Sequence, residues 1–475
     1  MATEKGRSIF RQVPPDVQDL ILQSVTQDAP ATTEQAREAE RTFWALSLCG
    51  CKEWLSCASQ ALYKSPLAGA DGGLWRLEAL VRTATSNPEL ASLIVSLPTL
   101  PSWDDSFQTD SPDDLVRRVS NGVLALLSNC VNLRAIALPI SLVHPCLNLR
   151  RTSISELTVS GLGIWGFNNG PSFLEALDGL QLDVLRLEKF NHRVLGSGQS
   201  DGELWAASVE LMKVLEVVPC KLSFKSLQIK NALLGFQPLL ERILACAIRP
   251  PKQLSFSCEL YDMMYYHQPQ FRADIGQSLD FLGYAVYRSA GELTHFSFDM
   301  SHLPAGHRTQ ITVDLYKQLC VPGPLSGDIN LFDSSRLPFH HFSIQLPSLR
   351  VLKLNCCYRM RVDWVRNIFK RCPALEYVSL ANSVWFIEPS NVLWGDHTSV
   401  GLEDIFKEFI FSLRCTNVRY LHVGVLPLTE AKAFETGLDQ TFKTLSEQVG
   451  FTVEYGTCID TQHLVYGNTL ESFES

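Results

Sequence analysis

The chain has 475 residues, of which 46% are hydrophobic and 19% are charged, and its formal net charge is −9. This composition can build a large core, in two or three ordinary domains or one elongated array. An acidic chain lacks the basic face that attracts nucleic acid or an anionic membrane, so we expect neither as a partner. No apolar run approaches the roughly twenty residues of a membrane span, and no signal-peptide core follows Met1. We therefore expect a cytoplasmic or nuclear protein.

Two short helices are predicted near the N-terminus. Pro14 and Pro15 suit the first turn of one helix. Apolar residues then follow at helical spacing, at Val17, Leu20, Ile21 and Val25. A second amphipathic helix carries Leu46, Cys49 and Trp54, and Leu62 and Tyr63 close the unit. A helical unit this small buries little core by itself, so we expect it to leave an apolar face for a partner.

Residues 1–65 resemble an F-box, the small trihelical motif that docks on the Skp-type adaptor of a cullin ubiquitin ligase. The likeness rests on the Cys51-Lys52-x-Trp54 signature and on Val13-Pro14, where the family usually has Leu-Pro. Gly50 stands where the family usually has valine, and residues 26–41 form a longer connection than is usual. The resemblance implies adaptor contacts through Val13, Pro14, Val17, Ile21, Leu46 and Trp54. The alternative is an ordinary helical cap on a larger domain.

A short pattern, apolar-x-x-apolar-x-apolar, recurs along the rest of the chain and predicts strands with one buried face. Its copies are Leu90/Leu93/Val95, Leu133/Ile136/Leu138, Ile154/Leu157/Val159, Leu182/Leu185/Leu187, Phe224/Leu227/Ile229, Pro251/Leu254/Phe256, Leu293/Phe296/Phe298, Leu349/Leu352/Leu354, Leu375/Val378/Leu380 and Val418/Leu421/Val423. Helices are predicted at residues 74–84, 115–127, 204–217, 239–247, 275–287, 362–370 and 402–411.

The strand–helix units resemble leucine-rich repeats, in which each unit buries its apolar side only by stacking on its neighbours. The predicted fold class is therefore α/β, with the trihelical F-box-like unit followed by an irregular leucine-rich-repeat solenoid, a curved parallel sheet with outer helices. The linker and linking helix occupy residues 66–89, the array residues 90–466, and a frayed tail residues 467–475. The pairing of F-box and repeats resembles a fungal family of this size. Irregular spacing leaves a stacked-helix solenoid as the weaker alternative.

Chemistry-bearing motifs are sparse. Cys130, Cys372 and Cys415 each precede a strand-leading residue by three positions, which predicts small buried hydrophobes rather than metal ligands or redox groups. Residues 161–166 spell G-x-G-x-x-G, but bulky Trp165 lies inside that turn and the flanking strands fit the repeat series. We expect no catalytic residues, cofactor or metal.

The remaining candidate is a protein-recognition surface. Between the apolar anchors of the strands, the residues Arg186, Glu188, Gln228, Lys230, His295, Asp299, Lys353, Asn355, Tyr377, Tyr420 and His422 are predicted to line the concave face. Mixed charge and tyrosines suit protein binding better than nucleic acid. Two long insertions add Tyr265, Tyr266, Trp385 and Trp394, which either anchor a target or cover the core.

Three hypotheses follow for the whole chain. The leading one is a non-catalytic substrate receptor of an SCF-type ubiquitin ligase, which binds a Skp-type adaptor and cullin complex and an unknown protein substrate. The second is a repeat scaffold that binds partners without a ligase. The third and weakest is a nucleotide-dependent enzyme that uses the turn at Gly161.

Overall fold

The structure is a computed structural model of the chain. It describes residues 52–66, 73–98, 112–150, 153–160, 164–190, 217–232, 237–257, 282–299, 345–355, 357, 362–383, 410–411, 413, 416–425 and 437–456. The chain divides into two compact units, Met1–Ser160 with Glu175–Leu182, and Gly161–Leu174 with Asp183–Ser475.

Strands and helices alternate along the described residues. The strands are β1 (Ser96–Leu97), β2 (Ala135–Pro139), β3 (Glu156–Ser160), β4 (Gln181–Phe190), β5 (Ser223–Ala232), β6 (Gln253–Ser257), β7 (His295–Asp299), β8 (Val351–Asn355), β9 (Tyr377–Ser379), β10 (Tyr420–His422) and β11 (Thr452–Glu454). The helices are α1 (Lys52–Lys64), α2 (Gly73–Ser86), α3 (Pro88–Leu93), α4 (Pro112–Asn129), α5 (Ile140–Arg150), α6 (Ile164–Leu177), α7 (Gln237–Cys246), α8 (Val362–Arg371) and α9 (Leu438–Val449). Residues 282–289 are also helical.

The fold is an open, parallel α/β sheet of eleven strands in chain order, β1 to β11. Consecutive strands that pair as neighbours, with a connection between each pair, are what a stack of strand-containing repeats produces. The predicted α/β class is therefore confirmed, and the topology is consistent with a repeat solenoid. The trihelical unit stays a prediction, because residues 1–51 lie outside the described part of the chain.

In the first unit, α2 packs against α3 and α4, and α4 packs against α5. Gly122 of α4 lets the helices approach closely, since a Cβ there would lie 3.2 Å from the fully buried Leu77 of α2. The three strands β1, β2 and β3 pair in parallel, and Leu97, Ile136 and Leu157 form one buried row across them.

The second unit has the same layered arrangement over more strands. In the parallel pairs from β5 to β11, every strand contributes one side chain to a continuous buried row, which consists of Leu227, Leu254, Phe296, Leu352, Val378, Leu421 and Val453. Burial of such a row contributes roughly 1.5–3 kcal/mol for each large apolar side chain. Because successive side chains of a strand point to opposite faces, the residues between these anchors form the other face of the sheet.

A recurring corner leads from each helix into its strand. Cys130 and Cys372 are buried there, and their carbonyls accept hydrogen bonds from the N–H groups of Leu133 and Leu375, 3.2 and 3.1 Å away. The prediction that these cysteines are small buried hydrophobes is confirmed, while Cys415 lies outside the described residues.

The residue just before the first apolar position of a strand copy donates a side-chain hydrogen bond to a backbone carbonyl of the preceding strand unit. Asn132 donates to the carbonyl of Ser92 at 2.7 Å, and Asn417 donates to the carbonyl of Pro373 at 2.9 Å. Ser348 makes the equivalent bond to Gly291, also at 2.9 Å. The same bond at the same position of separate strand units is a second signature of repetition, which we did not predict.

The first predicted strand copy is wrong. Leu90 and Leu93 lie in α3, because Asn87 caps the helix by accepting a hydrogen bond from the N–H of Leu90 at 3.1 Å and Pro88 begins the first turn. The strand forms only at Ser96–Leu97, where Leu97 is buried, and Ile94 is buried at the end of the preceding helix. The other nine copies coincide with β2 to β10.

Besides α3, three helices and one strand are not among the elements predicted above. One of these helices is α6, which continues through Pro171, and burial of Phe173, Leu174 and Leu177 opposes the cost of the lost hydrogen bond. Helices α5 and α9 were missed outright, and so was the strand β11 that follows α9. Among the described helices, none is both long and apolar enough to cross a membrane.

A candidate protein-binding face of the sheet

The polar face is the side of the second unit's sheet opposite its buried apolar row. Its residues align across strands in three rows. The first row consists of Ser226, Gln253, His295, Val351, Tyr377, Tyr420 and Thr452, the second of Gln228, Ser255, Ser297, Lys353, Ser379, His422 and Glu454, and the third of Lys230, Ser257, Asp299 and Asn355. The face therefore carries charged, hydroxyl and aromatic groups within reach of one another.

At β4 and β5 the charged side chains pair with one another. Arg186 donates to Gln228 at 2.9 Å and lies 3.9 Å from Glu188, and Lys230 lies 3.6 Å from the same carboxylate. Lys225, at the start of β5, pairs with Asp183 at 2.6 Å. Exposed pairs of this kind stabilise the fold by about 1 kcal/mol or less. Because Arg186 and Lys230 share one carboxylate, one positive charge remains in this group.

Around β7 and β8 both signs of charge are present, with Asp299 on β7 and Lys353 on β8. Burial lowers the pKa of His295 from its ordinary value, and the nearby charges of Lys353 and Arg350 lower that pKa further. The Thr294 hydroxyl contacts the carbonyl of Lys252 at 3.0 Å and Nδ1 of His295 at 2.9 Å. Because a hydroxyl has one hydrogen, both contacts are hydrogen bonds only if Nδ1 carries the proton, which leaves Nε2 as an acceptor.

An aromatic ladder crosses β9 and β10. The rings of Tyr377 and Tyr420 stack with centroids 4.5 Å apart and planes within 7°. The ammonium of Lys353 lies 5.6 Å from the centroid of the Tyr377 ring, and the Tyr420 hydroxyl donates to Glu454 at 2.6 Å. Burial and this hydrogen bond raise the pKa of Tyr420, so its phenol stays protonated at neutral pH. The stack, the cation contact and the hydrogen bond together restrict the orientations of the two rings.

Gly424, just after β10, packs closely against the backbone of the buried Ser383, just after β9. The N–H of Gly424 donates to Nδ1 of His422 at 3.1 Å, so His422 presents Nε2–H as a donor in its neutral form. Burial lowers the pKa of His422, although the charge of Glu454 acts in the opposite direction. Beneath them, the Oγ of Ser383 accepts from the N–H of Cys357 at 3.0 Å and donates to the carbonyl of Leu354 at 2.8 Å.

The structure brings the predicted strand residues together on one face. These are Arg186, Glu188, Gln228, Lys230, His295, Asp299, Lys353, Asn355, Tyr377, Tyr420 and His422. Their role in binding a target stays a prediction. The insertion residues Tyr265, Tyr266, Trp385 and Trp394 lie outside the described residues, as do Val13, Pro14, Val17, Ile21 and Leu46. The backbone of Trp54 lies in α1.

Sequence reasoning missed the part of this face that β11 supplies. Glu454 and Thr452 were not predicted because β11 was not predicted, although the alternation Phe451-Thr452-Val453-Glu454 after an amphipathic helix was a usable signal. In the part of the chain that the structure describes, no three His, Cys, Asp or Glu side chains cluster to hold a metal ion.

Comparisons with known proteins add little to this description. No protein-family model and no curated protein matches the chain. Among solved structures it is similar to a chain described as "Crystal structure of Rad7 and Elc1 complex in yeast", with 12% identity over 94% of this chain and 93% of that chain. The TM-score of that superposition is 0.28, which does not establish a common fold.

Proposed function

We propose that this protein is a non-catalytic substrate-recognition subunit of an SCF-type ubiquitin ligase. Its N-terminal residues hold a Skp-type adaptor and thereby a cullin complex, and the polar face holds a protein target. The observation that carries the proposal is the order of two parts along one chain. The F-box-like signature Cys51-Lys52-x-Trp54 precedes a parallel sheet whose strands follow one another in chain order.

The sequence of the first part supports adaptor binding. Val17 and Ile21 lie four residues apart and so share one face of the predicted helix, with Val13 and Pro14 at its start. Leu46 and Trp54 belong to the second helix of the resemblance. An apolar face on so small a unit is most stable when a partner covers it.

The second part supports target binding. The polar face combines mixed charges with two stacked tyrosines, and tyrosine is enriched among the residues that dominate protein interfaces. The rows of the face are supplied by consecutive strands, so one target segment can contact several strands at once. The insertions with Tyr265, Tyr266, Trp385 and Trp394 are a second proposed contact region for the target.

Affinity purification of the full chain, followed by identification of bound proteins, tests the adaptor contact. We expect a Skp-type adaptor and a cullin to co-purify. The double variant Val17→Asp/Ile21→Asp should lose the adaptor by more than about a hundredfold, because charges in a desolvated interface cost several kcal/mol. The control Gln23→Asp/Thr26→Asp adds the same charge on the side of the helix opposite the apolar stripe and should retain the adaptor.

Two results would contradict the proposal. One is a folded full chain from which neither adaptor nor cullin is recovered, which would leave a repeat scaffold without a ligase role. The other is equal adaptor binding by both double variants, which would exclude the predicted helix face as the docking surface. Melting curves of all variants establish that each chain is folded before its binding is compared.

A further inference from the structure

A backbone hydrogen bond joins the entry residues of successive strands, where the entry residue directly precedes the first paired position of its strand. Its N–H donates to the carbonyl of the entry residue of the preceding strand. In the first unit Arg134 donates to Val95 and Ser155 donates to Arg134, both at 2.8 Å. In the second unit the bond recurs at 2.8 or 2.9 Å, from Lys252 to Lys225, Thr294 to Lys252, Arg350 to Thr294, Glu376 to Arg350 and Arg419 to Glu376.

At β1 a helix supplies the carbonyl that a preceding strand supplies elsewhere. In the described part of the chain no strand precedes β1 in the sheet. The N–H of its entry residue, Val95, donates instead to the carbonyl of Lys64, the last residue of α1, at 3.0 Å. The unpaired edge of a sheet is a template for pairing with another chain, and proteins commonly cover such an edge with a helix.

The side chains of α1 join the core of the first unit. Ala58 and Leu62 lie four residues apart and so share one face of the helix. Ala58 is fully buried and Leu62 is only 9% exposed, while Gln60 between them is exposed. Helix α1 packs against α3, which leads directly into β1. The helix is therefore attached to the first unit both by its backbone end and by its apolar face.

We infer that α1 is the N-terminal cap of the parallel sheet and that the protection of β1 depends on it. The first strand unit of a stacked array has a neighbour on one side only, so its other side needs a capping element. Helix α1 begins at Lys52, within the F-box-like signature, and ends at the carbonyl that Val95 contacts. One helix thus carries the signature in its first turn and the cap in its last turns. The inference goes beyond the proposed function and does not depend on the adaptor.

The test is hydrogen exchange of the purified full chain, read by mass spectrometry in peptides that span Val95. Leu62→Ala removes packing without weakening the helix, because alanine is the strongest helix former. We expect exchange in these peptides to accelerate by about thirtyfold or more, which corresponds to the usual loss for truncation of a buried leucine. The matched control Gln60→Ala, at the exposed position of the same helix, should change exchange less than twofold.

Two results would overturn the inference. One is exchange at Val95 that is the same in Leu62→Ala as in Gln60→Ala. The other is acceleration confined to peptides of α1, which would show that α1 packs on the unit without capping β1. Peptides that span Phe296 of β7 report whether the rest of the chain stays folded. Unfolding of the whole chain by Leu62→Ala but not by Gln60→Ala would support the inference, because an independent helix could not have that effect.

The exchange experiment contains no partner, so its outcome is separate from that of the proposed function. If Val95 loses protection as expected but no adaptor is captured by the unchanged chain, the ligase role fails and the cap stands. If the adaptor is captured but Leu62→Ala leaves exchange at Val95 unchanged, the cap fails and the ligase role stands.

Discussion

Replacement of Gly424 by alanine should destabilise the protein strongly. Gly424 has φ +87°, in the left-handed region that side chains disfavour. A Cβ at this position would lie 2.5 Å from the carbonyl oxygen of Ser383 and 2.7 Å from that of Leu380. Both obstacles are backbone atoms, so the backbone itself must move. The two carbonyls belong to residues just after β9, and Gly424 lies just after β10, so the two segments pack closely there.

The magnitude follows from two contributions. A left-handed conformation costs a non-glycine residue about 1–2 kcal/mol, and overpacking of a tight site typically costs a further 1–3 kcal/mol. We therefore expect Gly424→Ala to lower the free energy of unfolding by about 2–5 kcal/mol. The Tm should fall by roughly 2–5 °C, since unfolding of a chain of this length carries an entropy of about 1 kcal/mol/K. The displaced backbone should also weaken the hydrogen bond that Gly424 donates to His422 on the polar face.

Two other glycines separate the contributions. Gly437 has φ +63°, but no atom of the described residues lies within 4 Å of the position that a Cβ would occupy, so Gly437→Ala should cost only the backbone contribution of about 1–2 kcal/mol. Gly291 has no positive φ, and within the described part of the chain no atom lies within 4 Å of its Cβ position, so Gly291→Ala should be neutral or slightly stabilising. Thermal and denaturant unfolding of the three variants checks this ranking. A Gly424→Ala chain as stable as Gly437→Ala would refute the reasoning.

Two further predictions concern the same region. Ser383→Ala should lower the free energy of unfolding by about 2 kcal/mol, measured with denaturant, because it leaves a buried N–H and a buried carbonyl without their hydrogen bonds. Ser289→Ala should not destabilise, because this buried hydroxyl has no hydrogen-bond partner among the residues that the structure describes. The lowered pKa of His422 contributes stability that is present above its unfolded pKa near 6.5 and is lost as the pH falls toward its folded pKa. Melting at pH 7.5 and 5.5 should therefore show a smaller acid-induced loss for His422→Asn than for the unchanged chain, and an equal loss would contradict this assignment.

Local sequence patterns were sufficient to predict a strand wherever one of its faces is buried and the other is polar. In Leu349-Arg350-Val351-Leu352-Lys353-Leu354 the alternation defines β8 and predicts Lys353 on the polar face. The same pattern gave a wrong prediction at Leu90 and Leu93. These residues are helical because Asn87 caps a helix there and Pro88 begins its first turn.

The sequence by itself determined the alternation of strands and helices, the buried anchors, and most of the residues that face away from the core, because each of these depends on side chains a few residues apart. Only the tertiary structure decided which residues meet across strands. The stack of Tyr377 on Tyr420, the bond from Arg186 to Gln228 and the contact of Tyr420 with Glu454 join residues 34 to 43 positions apart. Connections between strands differ in length, so separation along the chain does not give the register. That register is set when the repeats stack and their apolar rows align, and it also determines which cations of the polar face find a carboxylate.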